Sequence, residues 1–193
     1  RLLRPIERVV QRRHEAWRLP ALLAAPLIQV AQCPRGLDYP RSTMPSTFRY
    51  GAPWRRHEDI ELARPDGRPL VFCSLGTLQG ARLRLIATMS AACAAIGARA
   101  VIAHAGGLSP AQIARIPGDP LVRSLWPQTA ILRHCSAAML HGGFNTVLDA
   151  LAAELPMVLL PIAFEQPGTA ARVARLGAGK VVSPRWPTVR GLA

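Results

Sequence analysis

The sequence has few aromatic side chains and almost no lysine. Aromatic residues make up 5% of the 193 residues, and Lys180 is the single lysine among 24 basic residues, which outnumber 11 acidic ones to give a formal charge of +13. The arginines are spread along the chain, without a dense basic run or an aromatic stacking series. We therefore interpret the charge as a basic solvated surface and expect no nucleic-acid partner.

Other absences narrow the class of protein. No apolar run approaches the roughly 18 residues of a membrane span, and there is no secretory signal. The four cysteines lack the paired spacing of a metal site, so buried free thiols are expected at Cys73 and Cys93. No Asp-x-Asp pair indicates a need for Mg²⁺ or Mn²⁺. These features predict a cytoplasmic protein without a metal cofactor, with the inner membrane face as an open alternative.

Apolar runs alternate with helix-like segments from Leu70 onward, which predicts a parallel α/β sheet of the Rossmann-like type with flanking helices. The predicted strands are Leu70–Ser74, Arg99–His104, Leu121–Leu125, Ala137–His141, Met157–Leu160 and Lys180–Ser183. The predicted helices are Arg82–Ile96, Pro110–Ile116, Thr129–His134, Phe144–Glu154 and Pro167–Leu176. In such a sheet a ligand binds at the carboxyl ends of the strands.

The residues before Leu70 differ in composition. Residues 1–69 are predicted to form a leader and interdomain linker, with a helix over Arg4–Trp17, a strand over Leu27–Gln32 and a Pro- and Arg-rich stretch from Pro34 to Pro69. Residues 70–193 are predicted to form the α/β domain. Because the chain lacks an initial methionine and ends where another helix is predicted to start, we expect it to be a fragment.

The most informative stretch begins at His141 with His-Gly-Gly-Phe-Asn-Thr. A short apolar run, typical of a buried parallel strand, ends at this histidine. Because a helix is predicted to begin at Phe144, Gly142 and Gly143 lie in the loop that opens it. Free backbone N–H groups and the positive end of the helix dipole favour an anion at such a loop. A diphosphate fits this position, with the imidazole as a side-chain donor.

Polar side chains continue along the first turns of this helix. Asn145 and Thr146 supply further donors, and Asp149 shares their helix face. An ionised carboxylate only accepts hydrogen bonds, which suits the paired hydroxyls of a ribose. The alternative is structural: Asn145 and Thr146 cap the helix, Asp149 complements its dipole, and the glycines form a tight turn.

A second loop has comparable chemistry. The apolar run from Leu70 ends in Ser-Leu-Gly-Thr and precedes a helix. Ser74, Gly76 and Thr77 are therefore expected to reach the same diphosphate from a second strand.

A third loop follows the strand predicted at Met157–Leu160. It contains Glu165, which accepts hydrogen bonds, and Gln166, which both donates and accepts them. This pair suits the hydroxyls of a sugar. For Glu165 alone, a polar loop that caps the next helix is an alternative.

These motifs resemble those of the nucleotide-sugar glycosyltransferases with two facing Rossmann-like domains, the GT-B architecture. The stretch Leu125–Gln166 is similar to that family's donor-binding signature of W-x-P-Q, H-x-G-x-N-S/T, an acidic residue and a closing acidic-Gln pair. Longer runs at Ser74–Gly80, Asn145–Leu151 and Pro161–Arg172 resemble bacterial zeaxanthin glucosyltransferases of carotenoid pathways. The resemblance implies the C-terminal, donor-binding half of a UDP-glycosyltransferase.

The resemblance also implies a contact for each matched position. The diphosphate is contacted by His141 and surrounded by Gly143, Asn145 and Thr146, the ribose by Asp149 and Gln128, and the hexose by Glu165 and Gln166. The base position departs from the family pattern, because the aromatic platform falls on Leu125 while the tryptophan is Trp126. Either the register slips by one residue, or the base rests on an aliphatic floor.

The implied reaction is transfer of a hexose, expected to be glucose, from a UDP-sugar to a hydroxyl of a hydrophobic acceptor such as zeaxanthin. In the family the general base is a histidine of the amino-terminal, acceptor-binding half. Neither His14 nor His57 follows an apolar strand in a Gly-rich turn, so the catalytic residue is expected outside this chain. The alternatives are a glycosyltransferase for macrolides or other aglycones, and a non-catalytic nucleotide-sugar-binding domain.

Overall fold

The computed structural model describes residues 28–42, 44–55, 58–62 and 66–193. The chain divides into two compact units, one of Arg1–Arg35 with Pro40–Ala52, the other of Gly36–Tyr39 with Pro53–Ala193. The second unit thus takes in residues from before Leu70, where a domain boundary is predicted from the sequence. The helix predicted over Arg4–Trp17 lies outside the described residues.

The first unit contains two short parallel strands, β1 (Gln29–Ala31) and β2 (Phe48–Tyr50), with Gln29 opposite Phe48. The first strand lies within the one predicted over Leu27–Gln32. The second lies inside the stretch Pro34–Pro69, which is predicted from the sequence to be an interdomain linker. At three residues, β2 is too short to show a recognisable period, although its two aromatic rings meet edge to face with centroids 5.0 Å apart.

The second unit is built on six parallel strands in the spatial order β5-β4-β3-β6-β7-β8. The strands are β3 (Leu70–Ser74), β4 (Arg99–Ala103), β5 (Leu121–Arg123), β6 (Ala137–Leu140), β7 (Met157–Leu159) and β8 (Gly179–Val181). Numbered within the sheet, this is the order 3-2-1-4-5-6 of Rossmann folds. The predicted fold class is therefore confirmed.

Six helices occur among the described residues. They are α1 (Leu83–Ala95), α2 (Pro110–Ile113), α3 (Gln128–Leu132), α4 (Phe144–Ala152), α5 (Gln166–Arg175) and α6 (Val189–Leu192). The second helix begins with a reciprocal cap between Ser109 and Gln112, and it ends before the predicted Ile116. Beyond Ile113 the Arg115 and Ile116 N–H groups bond to carbonyls three residues earlier, at Gln112 and Ile113, so the chain tightens into a turn.

Strand ends follow the pairing between neighbours rather than the apolar run. The strand predicted over Leu121–Leu125 stops at Arg123, because its partner β4 ends at Ala103, directly opposite. Leu125 and Trp126 therefore lie beyond the sheet, where they are free to line a cleft.

The core explains why the central strands read as continuous apolar runs. Every residue of β3 is buried, since helices cover both faces of a parallel sheet. On one face, Val71 and Cys73 pack in a single cluster with Leu85, Ile86 and Met89 of α1.

The sheet positions the site through its two central strands. β3 and β6 are neighbours, with Ser74 opposite Leu140, and the His141 N–H donates to the Ser74 carbonyl at 3.2 Å. From these strands the chain proceeds to opposite sides of the sheet, to β4 after β3 and to β7 after β6. At such a switch point the two loops separate and leave a crevice at the carboxyl ends of the strands.

Candidate functional site

A cleft of about 340 Å³ occupies this crevice. The cleft is lined by most of the residues singled out in the sequence: Ser74, Gly76, Thr77, Leu125, Trp126, Gln128, His141, Gly143, Asn145, Thr146 and Glu165. Gln166 lines a neighbouring cleft of about 190 Å³, which also contacts Thr77, His141 and Glu165. Gly142 and Asp149 line neither cleft. The other residues come from all three predicted loops, which the fold brings together at one edge of the sheet.

His141 is the central side chain of the cleft, and two glycines make room for it. A Cβ on Gly76 would lie 2.6 Å from its Nε2 atom, and a Cβ on Gly143 would lie 2.4 Å from the same atom. Gly76 also has a φ of +73°, which favours glycine, whereas Gly143 has ordinary backbone angles. The imidazole therefore fills the space between the loops that follow β3 and β6.

Burial lowers the pKa of His141 below its usual 6.5, and the Ser74 backbone and the Glu165 carboxylate oppose this shift without reversing it. The Nδ1 atom is buried and has no hydrogen-bond partner among the described residues. At neutral pH the ring is accordingly uncharged and has one N–H to donate.

This shift predicts a pH dependence of stability. Below pH 6.5 the unfolded chain binds a proton at His141 more readily than the folded chain does. The free energy of unfolding should therefore fall as pH decreases from 6.5 to the folded-state pKa. Urea unfolding of His141→Asn should show a shallower decline between pH 7 and pH 5. Parallel curves for the two proteins would contradict the assignment of a buried neutral imidazole.

The amino terminus of α4 faces the cleft without a side-chain cap from its N-cap residue, Gly143. Asn145 instead accepts from Arg55, with its Oδ1 atom 3.3 Å from Nη2, and Thr146 donates to the Gln128 amide oxygen at 3.3 Å. The capping role considered for Asn145 and Thr146 is thus not what their side chains do. The first residues of α4, Phe144 to Thr146, line the cleft, and the N–H groups of a first helical turn have no partner within the helix, as an anion site requires.

Asp149 is buried in a hydrogen-bonded network with Gln128, which lines the cleft, and with Arg55. Its Oδ1 atom accepts from Arg55 Nε at 2.5 Å, and its Oδ2 atom accepts from Gln128 Nε2 at 2.5 Å. Arg55 was missed in the sequence because it belongs to the irregular Pro- and Arg-rich stretch, 94 positions from its partner. No local pattern connects two residues so far apart.

The loop after β3 is ordered by its own side chain. The Ser74 hydroxyl accepts from the Gly76 N–H at 3.2 Å, and Ser74 is buried, while Thr77 is exposed at the cleft. The Ser74 hydroxyl hydrogen remains available to a ligand.

The two candidates for the base platform differ sharply in exposure. Trp126 is 9% exposed, its Nε1 donates to the Ile102 carbonyl at 3.0 Å, and the Arg123 guanidinium lies 4.1 Å from the ring centroid. Leu125 is 68% exposed. The indole is thus held in the core by its own contacts, whereas the leucine side chain stands in the open part of the cleft.

The loop before α5 is held by Gln166, which is buried. Its Oε1 atom accepts from the backbone N–H groups of Ile162 and Ala163 at 2.8 and 2.9 Å. The amide oxygen of Gln166 is therefore occupied by backbone hydrogen bonds, and its NH₂ group remains to bind a sugar.

Glu165 is the N-cap residue of α5, yet its carboxylate makes no capping bond. The carboxylate lies instead at both clefts.

The chain matches a known protein family over most of its length. A model of the family described as UDP-glucoronosyl and UDP-glucosyl transferase, UDPGT, matches residues 18–193. The chain belongs to this family. The nucleotide-sugar glycosyltransferase family inferred from the donor-binding motifs is thereby confirmed.

The curated relatives include two zeaxanthin glucosyltransferases. The one from Pseudescherichia vulneris is 42% identical over 162 residues, which cover 82% of this chain and 39% of the relative. The one from Pantoea ananas is 37% identical over 177 residues, which cover 88% of this chain and 41% of the relative. The chain thus spans roughly two fifths of the length of these relatives, and the predicted resemblance to them is confirmed.

Solved glycosyltransferase structures share the fold. The calicheamicin glycosyltransferase CalG4 superposes with a TM-score of 0.74 at 27% identity, covering 84% of this chain and 41% of CalG4. The glycosyltransferase VinC in complex with dTDP gives a TM-score of 0.54 at 28% identity, covering 67% of this chain and 32% of VinC. The resemblance to the GT-B architecture is confirmed by these structural neighbours.

The structure was also searched for metal-ligand clusters, membrane-spanning helices and disulfides. In the part of the chain that the structure describes, no three His, Cys, Asp or Glu side chains cluster as metal ligands would. Across the same residues, no helix has the length and apolar character needed to cross a bilayer. Cys73 and Cys93 are free and buried, as predicted.

Proposed function

We propose that this domain binds the donor of a hexosyltransferase, a UDP-sugar, and that glucose is the sugar transferred. The observation that supports this proposal most directly is the cleft at the switch point. There the uncapped start of α4 and the His141 imidazole converge on one space. Backbone N–H groups, a helix dipole and a neutral imidazole donor together suit a diphosphate.

The remaining donor contacts follow from the positions of the side chains. We assign Ser74, Gly76, Thr77, Gly142, Gly143, Asn145 and Thr146 to the diphosphate, Gln128 and Asp149 to the ribose, Glu165 and Gln166 to the hexose, and Leu125 to the base. The buried Trp126 supports the floor beneath Leu125 rather than stacking on the base.

The proposed chemistry is attack by an acceptor hydroxyl on the anomeric carbon of the sugar. The bond from that carbon to the diphosphate breaks, and negative charge develops on the leaving diphosphate. His141 and the start of α4 are placed to stabilise this charge with fixed donors, which is the usual origin of large rate effects. The base that removes the hydroxyl proton is expected in the acceptor-binding half of the family's architecture.

An apolar rim beside the sugar position supports a hydrophobic acceptor such as zeaxanthin. Leu78 and Phe164 line the smaller cleft beside Glu165 and are 77% and 72% exposed. Exposed large apolar side chains at a cleft mouth are typical of binding surfaces. Because such an acceptor partitions into lipid, we also propose peripheral contact with an anionic membrane through the basic surface.

Isothermal calorimetry with UDP, UMP and uridine tests the proposal. UDP should bind, and UMP should bind at least about tenfold more weakly, because the second phosphate gains charge-assisted hydrogen bonds at the helix terminus. Asn145→Ala should weaken UDP binding without unfolding the protein. If no nucleoside diphosphate binds to the folded chain, the proposed function is wrong.

A further inference from the structure

The ion pair between Arg55 and Asp149 needs a reason beyond the fold. The Asp149 side chain is 6% exposed and that of Arg55 is 27% exposed, so the carboxylate is the buried partner. A buried pair is weak evidence of stabilisation, because an apolar pair of similar volume often serves as well. The pair bonds to Gln128 and Asn145, which line the cleft, so its position suits a part in ligand recognition.

The Asp149 carboxylate has hydrogen-bond acceptor positions that the protein does not use. An ionised carboxylate has about four acceptor positions. One position on Oδ1 is used by Arg55 and one on Oδ2 by Gln128. Each oxygen thus retains a lone pair, and two neighbouring acceptors in one plane match two adjacent hydroxyl groups.

The orientation of that plane is fixed from both sides. Gln128 cannot turn freely, because its amide oxygen accepts from Thr146 at 3.3 Å while its NH₂ group donates to Asp149. Arg55 is fixed in turn by Asn145, whose backbone and side-chain oxygens lie 3.4 and 3.3 Å from Nη2. The two partners of this pair, Gln128 and Asn145, line the cleft, and so does Thr146, which donates to Gln128.

We propose that Arg55 is a positioning residue for nucleotide recognition, which holds the Asp149 carboxylate so that it accepts both hydroxyls of a ribose. The domain would then prefer ribonucleotide donors to 2′-deoxyribonucleotide donors. This inference rests on the proposed function and adds to it a specificity-determining residue from the segment before the Rossmann-like sheet. A guanidinium suits the task because its rigid fork contacts Asp149 and Asn145 at once.

The test compares UDP with 2′-deoxy-UDP in the 193-residue chain by calorimetry. Wild type should prefer UDP by at least about tenfold, the value of a hydrogen bond to a charged group. Arg55→Gln should weaken UDP binding by about tenfold and bring the ratio of the two affinities toward one, since the carboxylate is no longer held. Arg55→Lys should restore part of the affinity but little of the ratio, because an ammonium lacks the fork.

A variant with a neutral pair separates positioning from folding. Arg55→Gln combined with Asp149→Asn leaves no uncompensated buried charge, and it should show the same low ratio as either single variant. If Arg55→Gln lowers the melting temperature but keeps the wild-type ratio, Arg55 has a structural role and the inference is wrong. If wild type binds neither nucleotide, the proposed function fails first, and this inference fails with it.

Discussion

Gly143→Ala is expected to weaken UDP binding by about 10- to 100-fold, because the displaced imidazole loses its charge-assisted hydrogen bond to the diphosphate. The new Cβ would lie 2.4 Å from His141 Nε2, closer than side chains approach one another, so the imidazole must leave its place between the two loops. The backbone itself is not strained, because Gly143 has a φ of −61° and a ψ of 132°. Calorimetry with UDP measures the loss.

Two controls isolate this effect. Gly168→Ala, where the nearest atom is the flexible Arg172 Nη1 at 3.4 Å, should bind UDP as wild type does. In a His141→Ala background, Gly143→Ala should cause little further loss, because the side chain it displaces is already gone. Independent, additive losses in the double variant would show that His141 and Gly143 do not act through this contact.

Leu125→Trp should strengthen UDP binding by about 5- to 100-fold, because stacking of a base on an aromatic ring contributes about 1–3 kcal/mol. Leu125 is exposed in the cleft, and the neighbouring Trp126 is buried and hydrogen bonded, so the new ring has room that Trp126 does not offer. The comparison of UDP affinity between Leu125→Trp and wild type gives the result.

The same substitution at Leu176 is the matched control. Leu176 is also exposed but does not line the cleft, so Leu176→Trp should leave UDP affinity unchanged. Equal affinities for Leu125→Trp and wild type, or weaker binding by the variant, would contradict a base resting on Leu125. Trp126→Leu would not be informative, because it removes a buried ring and its hydrogen bond to Ile102.

The sheet and the loops of the site could be predicted because their signals are local. The strand Leu70–Ser74 is buried along its whole length and reads as an uninterrupted apolar run, and its predicted bounds match the structure. His141 and the glycines after it follow a second such run. Parallel strands bring their carboxyl ends to one edge, so residues predicted in three separate loops meet in one cleft.

The interactions that tune the site could not be predicted, because they depend on distant partners. Nothing near Arg55 indicates that it pairs with Asp149. The Ile162 and Ala163 N–H groups donate to the side-chain amide oxygen of Gln166, and these bonds depend on the conformation of one loop. The choice between Leu125 and Trp126 depends on the burial of the indole and its hydrogen bond to the Ile102 carbonyl, 24 positions away.

The fold and the proposed function are connected through one physical requirement. A diphosphate is bound best by hydrogen-bond donors that the fold already holds in place. The lowered pKa keeps the His141 ring neutral, and two glycines allow it to stand between the β3 and β6 loops. A bulkier residue in place of either glycine would displace the imidazole from between the two loops, and a charged ring would favour solvent over this buried position.

A crystal structure of the chain with UDP tests the central claim most directly. The account predicts a diphosphate oxygen about 3 Å from His141 Nε2 and others at the same distance from the backbone N–H groups at the start of α4. The ribose hydroxyls should face Asp149. A diphosphate bound at another edge of the sheet, or one held by surface arginines with His141 and α4 uninvolved, would contradict the account.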